Sequence, residues 1–283
     1  MERVVREGDA TIAAVERRRG GTVRQHHRDA IERWAEAAAA DDEVLAVVVA
    51  GSLTEGYGLA DSDVDGFVIV TDEAFARRRA SGELTFFSAE LCDYEGGYVD
   101  ATYVDRANLE AVVGRGSEPA RSVFLGAIVA WSSDPSIEAR VRAASAYPEA
   151  GVEQRMARFL AQAQAAQWFV GEAAKRDDPY LAGWAASRLA LFACRLVLAH
   201  NRVLYPYHKW LLRTVTEAPD RPDDFVDLVR ALALERPPAA AEAVVMSLLL
   251  FREWPQAPAG WSTQFILDSE WNWLDGEPPI DDL

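Results

Sequence analysis

The stretch VLAVVVAGSLTEGYGLADSDVDGFVIV, residues 44–70, decides the predicted fold. Its first part, residues 44–50, is a short run of apolar and mostly β-branched residues that ends at Gly51. Such a run is typical of a strand that is buried on both faces. Residues 64–70 are equally apolar and predict a second strand. The stretch therefore predicts two buried strands joined by a polar segment that contains glycine.

Three aspartates are predicted to converge beside these strands. Asp63 and Asp65 lie where the second strand begins, and the strand period of two places both carboxylates on one face. Asp100 lies in a later predicted strand, where it shares a face with Tyr98 and Thr102. Carboxylates this close repel each other unless a cation lies between them, and Mg²⁺ prefers oxygen ligands. The pattern therefore indicates a metal site for two-metal, phosphoryl-type transfer.

Gly51 and Ser52, directly after the first strand, are the predicted anion-binding part of the site. Glycine lets the backbone approach an anion closely, and amides with a hydroxyl at a helix start can hold a phosphate. Metal ions on one side and amides on the other would together bind a triphosphate.

This order of residues resembles the DNA polymerase beta-type nucleotidyltransferase superfamily over about residues 44–104. The resemblance rests on Gly-Ser, a ten-residue spacer, Asp-x-Asp and a later strand aspartate. Within the superfamily the chain is most similar to small stand-alone enzymes, including aminoglycoside and lincosamide nucleotidyltransferases, in which a helical domain follows the catalytic one. The sequence departs from the pattern at Gly66, where relatives commonly have a larger apolar residue.

The resemblance implies a role for each residue of the pattern. Asp63, Asp65 and Asp100 would be the catalytic residues and would bind two Mg²⁺ ions, and Gly51 and Ser52 would hold the nucleotide phosphates. The reaction would move a nucleoside monophosphate, with AMP from ATP as the expected case, to a hydroxyl of a small molecule, a class that includes antibiotics. Pyrophosphate would leave. Asp100 is also the candidate general base, because relatives that act on antibiotics often use a carboxylate.

The second half of the chain contributes one further candidate. The segment LYPYHKWL, residues 204–211, resembles a motif in the helical part of uncharacterised bacterial relatives. Its Lys209 is either a surface lysine at a helix start or a contact to the triphosphate, whereas His208 is expected to be structural. The acidic tail is expected to be a solvated end, with a rim that attracts a cationic substrate as the alternative; its residues include Asp268, Glu270, Asp275, Glu277, Asp281 and Asp282. Several aromatic residues are expected to lie mostly in the core at helical spacing, with the alternative that one or two line a substrate cleft: Trp168, Phe169, Trp184, Trp210, Trp271 and Trp273.

The predicted fold class is α+β, with an N-terminal nucleotidyltransferase fold of mixed sheet and helices followed by a C-terminal helical bundle. The predicted domains are a catalytic domain over residues 1–147 and a helical domain over residues 148–283. Further elements expected from periodicity and helix start signals are helices at 7–19, 25–40, 72–79 and 108–113, strands at 84–91, 98–104 and 126–132, and helix starts at Asp178-Pro179, Pro206, Pro222 and Pro237-Pro238.

Composition and residue spacing restrict the kinds of partner, metal site and location that we expect for the chain. The formal net charge of -16 would repel a nucleic-acid backbone and disfavours nucleic acid as a substrate. The two cysteines and four histidines show neither a disulfide framework nor zinc spacing, and the tandem His26-His27 pair is expected to point its rings in different directions. Uninterrupted apolar runs are too short for a membrane span and the N-terminus shows no signal, so we expect a cytoplasmic protein. The oligomeric state stays open.

Four other interpretations remain. The chain could be a toxin-like nucleotidyltransferase that modifies tRNA or protein, or a non-catalytic module that keeps the fold and binds a nucleotide. An Asp-x-Asp pair also occurs as a solvated loop pair and in glycosyltransferases. In glycosyltransferases the pair usually follows an apolar strand, whereas here it precedes one, and this order favours nucleotidyl transfer.

Overall fold

The computed structural model of the protein describes residues 23–275. The chain divides into two compact units, Met1–Ala146 and Tyr147–Leu283. A five-stranded mixed sheet with helices forms the first unit, and the described part of the second unit is α-helical. The predicted α+β class, a mixed sheet with helices followed by a helical bundle, is confirmed. The helix predicted at residues 7–19 lies outside the described residues.

The first unit alternates helices and strands along the chain. Its elements are α1 (Gln25–Ala39), β1 (Val44–Val49), α2 (Ser52–Glu55), β2 (Val64–Val70), α3 (Asp72–Ser81), β3 (Thr85–Ser88), β4 (Val99–Val104), α4 (Arg106–Arg115), α5 (Glu118–Ser122), β5 (Ile128–Ser132) and α6 (Ser136–Ala144).

The sheet has the strand order β3-β4-β2-β1-β5. Strand β2 runs parallel to β4, and the other neighbouring pairs are antiparallel. One face packs against α1, whose Trp34 and Ile31 join a core with Val47 and Val68. The opposite face carries a second core that includes residues of β1, β2, α4 and α6. Both faces of β1 are therefore buried, as its continuous apolar sequence predicts.

Gly66 in β2 is required by this packing. A Cβ atom at Gly66 would lie 2.2 Å from the Val48 carbonyl oxygen and 2.9 Å from the Trp34 ring. Both distances are far shorter than normal contacts, so a larger residue would push α1 away from the sheet. Glycine at this position thus lets the Trp34 ring approach β2 closely.

Some predicted boundaries were wrong. Strand β3 covers four residues instead of eight, and the predictions did not include α5 and α6. The segment after Pro206 does not begin an α-helix, because Tyr207 has a φ of 67°. A short 3₁₀ turn, His208–Trp210, follows instead and leads into the next α-helix at Leu211.

The second unit is built from helices around one apolar core. Its elements are α7 (Val152–Arg176), α8 (Pro179–His200), the 3₁₀ turn His208–Trp210, α9 (Leu211–Glu217), α10 (Phe225–Glu235), α11 (Pro238–Phe251), α12 (Trp261–Asp268) and α13 (Asn272–Asp275). The predicted start of α8 is confirmed, because the Asp178 side chain accepts hydrogen bonds from the amides of Tyr180 and Leu181.

One helix of the described chain, α8, has the length and apolar composition that a membrane crossing requires. The buried core helix of a soluble protein meets the same criterion. In α8, Leu189, Cys194 and Val197 are fully buried in the core of the second unit. The expectation of no membrane span was based on the length of uninterrupted apolar runs, and it stays a prediction.

Candidate functional site

The pairing of β2 with β4 brings two of the predicted site residues together. Asp65 and Asp100 are direct register partners in this parallel ladder, so their side chains lie on the same face of the sheet. Farther along β2, Phe67 and Ile69 continue that face and are covered by the second core. Asp65 is half-buried and Asp100 is exposed. The two carboxylates therefore lie where the covered part of this face gives way to solvent.

Gly51 fixes the surroundings of the Asp65 carboxylate. A Cβ atom at Gly51 would lie 2.6 Å from an Asp65 carboxylate oxygen, and Gly51 has φ 72° and ψ -152°, which glycine alone adopts readily. The Ala50 amide also donates a hydrogen bond of 2.9 Å to the Asp65 carbonyl oxygen. The turn after β1 thus packs its backbone directly against Asp65, and this contact needs a glycine.

Tyr98 links Asp63 to the pair formed by Asp65 and Asp100. Its hydroxyl donates a hydrogen bond to the Asp63 carboxylate, and this bond is the main cause that raises the pKa of Tyr98. The negative charges of Asp63, Asp65 and Asp100 raise it further. All three carboxylates therefore act on one phenol. The strand pattern predicted that Tyr98 shares a face with Asp100, but Tyr98 was not predicted to be a site residue. Its spacing of two residues from Asp100 was a signal that could have identified it.

The loop before Asp63 is held by three rings that the sequence did not connect with the site. The His26 ring nitrogen Nε2 lies 2.8 Å from the Ala60 carbonyl oxygen, and the Tyr94 hydroxyl donates a hydrogen bond of 2.8 Å to the Ser62 carbonyl oxygen. The His26 and His27 rings are 4.2 Å apart, and both contact Tyr94. The expectation that the two histidine rings point in different directions was wrong, because both turn towards this loop.

Buried His27 is a neutral link between this loop and the start of α1. Its Nδ1 accepts a hydrogen bond of 3.1 Å from the Arg24 amide, and the backbone at Ala60 and Ser62 also hydrogen-bonds the ring. Burial, followed by the charges of His26 and Arg24, lowers the pKa of His27 from 6.5 to about 4. The uncharged ring can accept from the Arg24 amide, which an imidazolium cannot do.

The donor chemistry of Asp63, Asp65 and Asp100 suits a hard cation such as Mg²⁺, because all the side-chain donors are carboxylate oxygens. Two of these donors, on Asp65 and Asp100, project from neighbouring strands on one face. Within residues 23–275, no three or more His, Cys, Asp or Glu side chains are grouped so that they could hold a metal ion. The residue types therefore fit the predicted ion, while the side-chain positions do not form a ready three-residue ligand set.

The remaining predicted contacts lie on different elements. Ser52 is the first residue of α2, and it is half-buried next to Gly51. Lys209 lies in the second unit, where its ammonium nitrogen is 5.3 Å from the centre of the Trp210 ring. His208 is hydrogen-bonded through Nδ1 to the Tyr205 hydroxyl at 3.3 Å.

Two expectations about the second unit were wrong. Trp168, Trp271 and Trp273 are each at least half exposed rather than in the core. The expectation of a solvated end was wrong for Asp268, because its side chain is largely buried and forms an ion pair of 2.8 Å with Arg158. Glu270 is exposed, and Glu277, Asp281 and Asp282 lie outside the described residues. A cavity of about 410 Å³ in this unit is lined by Trp168 among other residues and includes none of the predicted site residues.

Comparisons with known proteins match part of the chain to a protein family and its fold to solved structures. Residues 123–211 match a protein family described as a domain of unknown function, DUF4037. This match includes the segment 204–211. The fold is also similar to the crystal structure of a nucleotidyltransferase-like protein from Exiguobacterium sibiricum 255-15, with 12% sequence identity and a TM-score of 0.45. That similarity covers 87% of this chain and 78% of the other chain. No curated protein matches the sequence.

Proposed function

We propose that the protein is a nucleotidyltransferase that moves a nucleoside monophosphate from a nucleoside triphosphate to a hydroxyl group. The observation that carries this proposal is the pairing of Asp65 with Asp100 on one sheet face, with Gly51 packed against the Asp65 carboxylate. The sequence resemblance assigns the same residues to that reaction. ATP is the expected donor, and a small molecule is the expected acceptor.

In the proposed reaction the acceptor oxygen forms a bond to the α-phosphorus, and the bond from this phosphorus to the bridging oxygen of pyrophosphate breaks. Pyrophosphate takes the electron pair of the broken bond. The proton of the acceptor hydroxyl passes to the Asp100 carboxylate, which is exposed and so open to an incoming molecule. Asp63 and Asp65 would hold Mg²⁺, which would attract the donor phosphates.

Bound Mg²⁺ would neutralise phosphate charge and polarise the phosphoryl oxygens. Asp63, Asp65 and Asp100 are its proposed ligands. Tyr98 would orient Asp63 through their hydrogen bond, and the three rings on the 59–62 loop would fix the backbone that leads to Asp63. The proposed phosphate contacts of Gly51 and Ser52 rest on the sequence resemblance.

The test compares the wild type with the double variant Asp63→Asn, Asp65→Asn. We expect Mg²⁺-dependent stabilisation by ATP in a thermal shift assay, and pyrophosphate release with a suitable acceptor, for the wild type alone. Asp61→Asn is the matched control, since Asp61 is an exposed aspartate of the same loop and should behave as the wild type. Equal nucleotide responses in the wild type and the double variant would contradict the proposal.

The acceptor is identified with ATP labelled at the α-phosphate. Label that appears on amine-bearing small molecules with a hydroxyl group would support the small-molecule assignment, and the cationic form is expected because the chain has a net charge of -16. Label on purified tRNA or protein would instead assign the toxin-like activity. Tight ATP binding with no label transferred to any acceptor class would indicate the non-catalytic module.

A further inference from the structure

Phe87 is an exposed aromatic side chain on an edge strand of the sheet. It lies in β3, the outermost strand beside β4, and the residue is 66% exposed. The Tyr98 ring lies next to it, with ring centres 5.2 Å apart and an angle of 32° between the planes. Native proteins usually protect edge strands with charges or coverage, so an exposed phenyl ring there suggests a binding role.

The position of Phe87 relates it directly to the carboxylates. In the β3–β4 ladder Phe87 is the register partner of Asp100, and in the β4–β2 ladder Asp100 is the partner of Asp65. The three residues therefore form one row across three strands on the same sheet face. Because neighbouring strands are about 4.8 Å apart, Phe87 is about 10 Å from Asp65 along this row.

We propose that Phe87 and Tyr98 form the stacking surface for the nucleobase of the nucleoside triphosphate. This inference rests on the proposed function, which places the phosphates at Asp63, Asp65 and Asp100. A nucleobase is the planar, uncharged end of the same molecule, and one ribose separates it from the α-phosphate. The aromatic pair continues the carboxylate row outward to the sheet edge, where a flat ring can stack while the phosphates stay at the aspartates.

Stacking has a consequence for the choice of nucleotide. Every base has a π-face, so an aromatic surface accepts all four bases, and its modest preference follows the strength of stacking. The larger purine rings should therefore bind more tightly than the pyrimidine rings. This preference should depend on Phe87, whereas binding of the triphosphate part should not.

The experiment measures binding of ATP and of inorganic tripolyphosphate by calorimetry with Mg²⁺. For Phe87→Ala the dissociation constant for ATP should rise about 5- to 150-fold, while the constant for tripolyphosphate should stay unchanged. Tyr98→Phe retains the ring and removes the hydrogen bond to Asp63, so it should retain the ratio of the two constants. Leu250→Ala, which truncates another exposed apolar side chain, should leave both constants unchanged.

The outcomes separate this inference from the proposed function. If the wild type binds no ATP, or if the double variant of Asp63 and Asp65 binds it equally well, the proposed function fails and the inference fails with it. If those residues matter but Phe87→Ala affects both ligands equally or neither, the nucleobase is not on Phe87 and the inference alone is wrong. A change confined to the Michaelis constant for the acceptor would also overturn it.

Discussion

His27 should make the first unit sensitive to mild acid. The unfolded chain binds a proton on this residue below its ordinary pKa of 6.5, whereas the folded protein does so only below about 4. The lowered folded-state pKa therefore contributes full stability above pH 6.5, and this contribution is lost as the pH falls from 6.5 to 4. The whole shift corresponds to about 3 kcal/mol, and about 2 kcal/mol of it is lost by pH 5.

The structural cause of the lowered pKa is first the burial of the ring and then the positive charge beside it. His27 is fully buried, and its Nδ1 accepts a hydrogen bond from the Arg24 amide. Protonation would place an N–H group against that amide donor inside the protein, and one bond would be lost. His26 and Arg24 add positive charge beside the ring. A loss of about 2 kcal/mol is a large part of the 5–15 kcal/mol that usually stabilises a domain.

The assay compares the wild type with His27→Gln at pH 7.5 and pH 5. Hydrogen exchange of the β1 amides reports opening of the first unit. Between pH 7.5 and pH 5, the free energy of opening of the first unit should fall by about 2 kcal/mol more in the wild type than in the variant. Subtracting the variant removes the contributions of the other acids and bases. Equal pH dependence in the two proteins, or an NMR titration of the His27 ring near 6.5, would refute the reasoning.

Four substitutions test the glycine positions and one helix cap. Gly66→Ala should lower the free energy of unfolding by about 1–3 kcal/mol, because its Cβ would lie 2.2 Å from the Val48 carbonyl oxygen. Gly183→Ala, in a helix with open space around the new atom, should instead stabilise by about 0.5–1 kcal/mol. Gly51→Ala should destabilise by about 1–3 kcal/mol because of its positive φ, with weaker nucleotide binding in the thermal shift assay. Asp178→Ala removes two capping hydrogen bonds and should lower the thermal midpoint through a loss of about 1 kcal/mol, and no change would contradict the capping role.

The strongest local signals predicted the sheet. The apolar runs at residues 44–50 and 64–70 became β1 and β2, because a continuous β-branched run can be buried on both faces in a central strand. The start of α8 was equally clear, since Asp178 caps the helix and Pro179 fits its first turn. Short elements such as α5 and α6 carry too few turns for a periodic pattern, so they were not predicted.

The surroundings of the candidate site were harder to predict because they depend on contacts between distant residues. The spacing of Asp63 and Asp65 predicts a shared face, but only the β2–β4 register shows that Asp100 is the partner of Asp65. His27 lies more than thirty residues before its partners at Ala60 and Ser62. A single sequence contains no signal for such a contact, since it arises when α1 packs across the sheet.

The Trp34 ring packed over Gly66 has a consequence for deletions and insertions in β2. Successive residues of a strand alternate between the two faces, so a shift of one position would turn Asp65 towards α1 and expose its neighbours on the site face. A shift of two positions would restore the alternation while changing the partner on β4. Single-residue deletions in β2 should therefore destabilise the protein far more than single-residue deletions in the loop before it. After a shift of either one or two positions, a residue other than Gly66 would lie beneath the Trp34 ring.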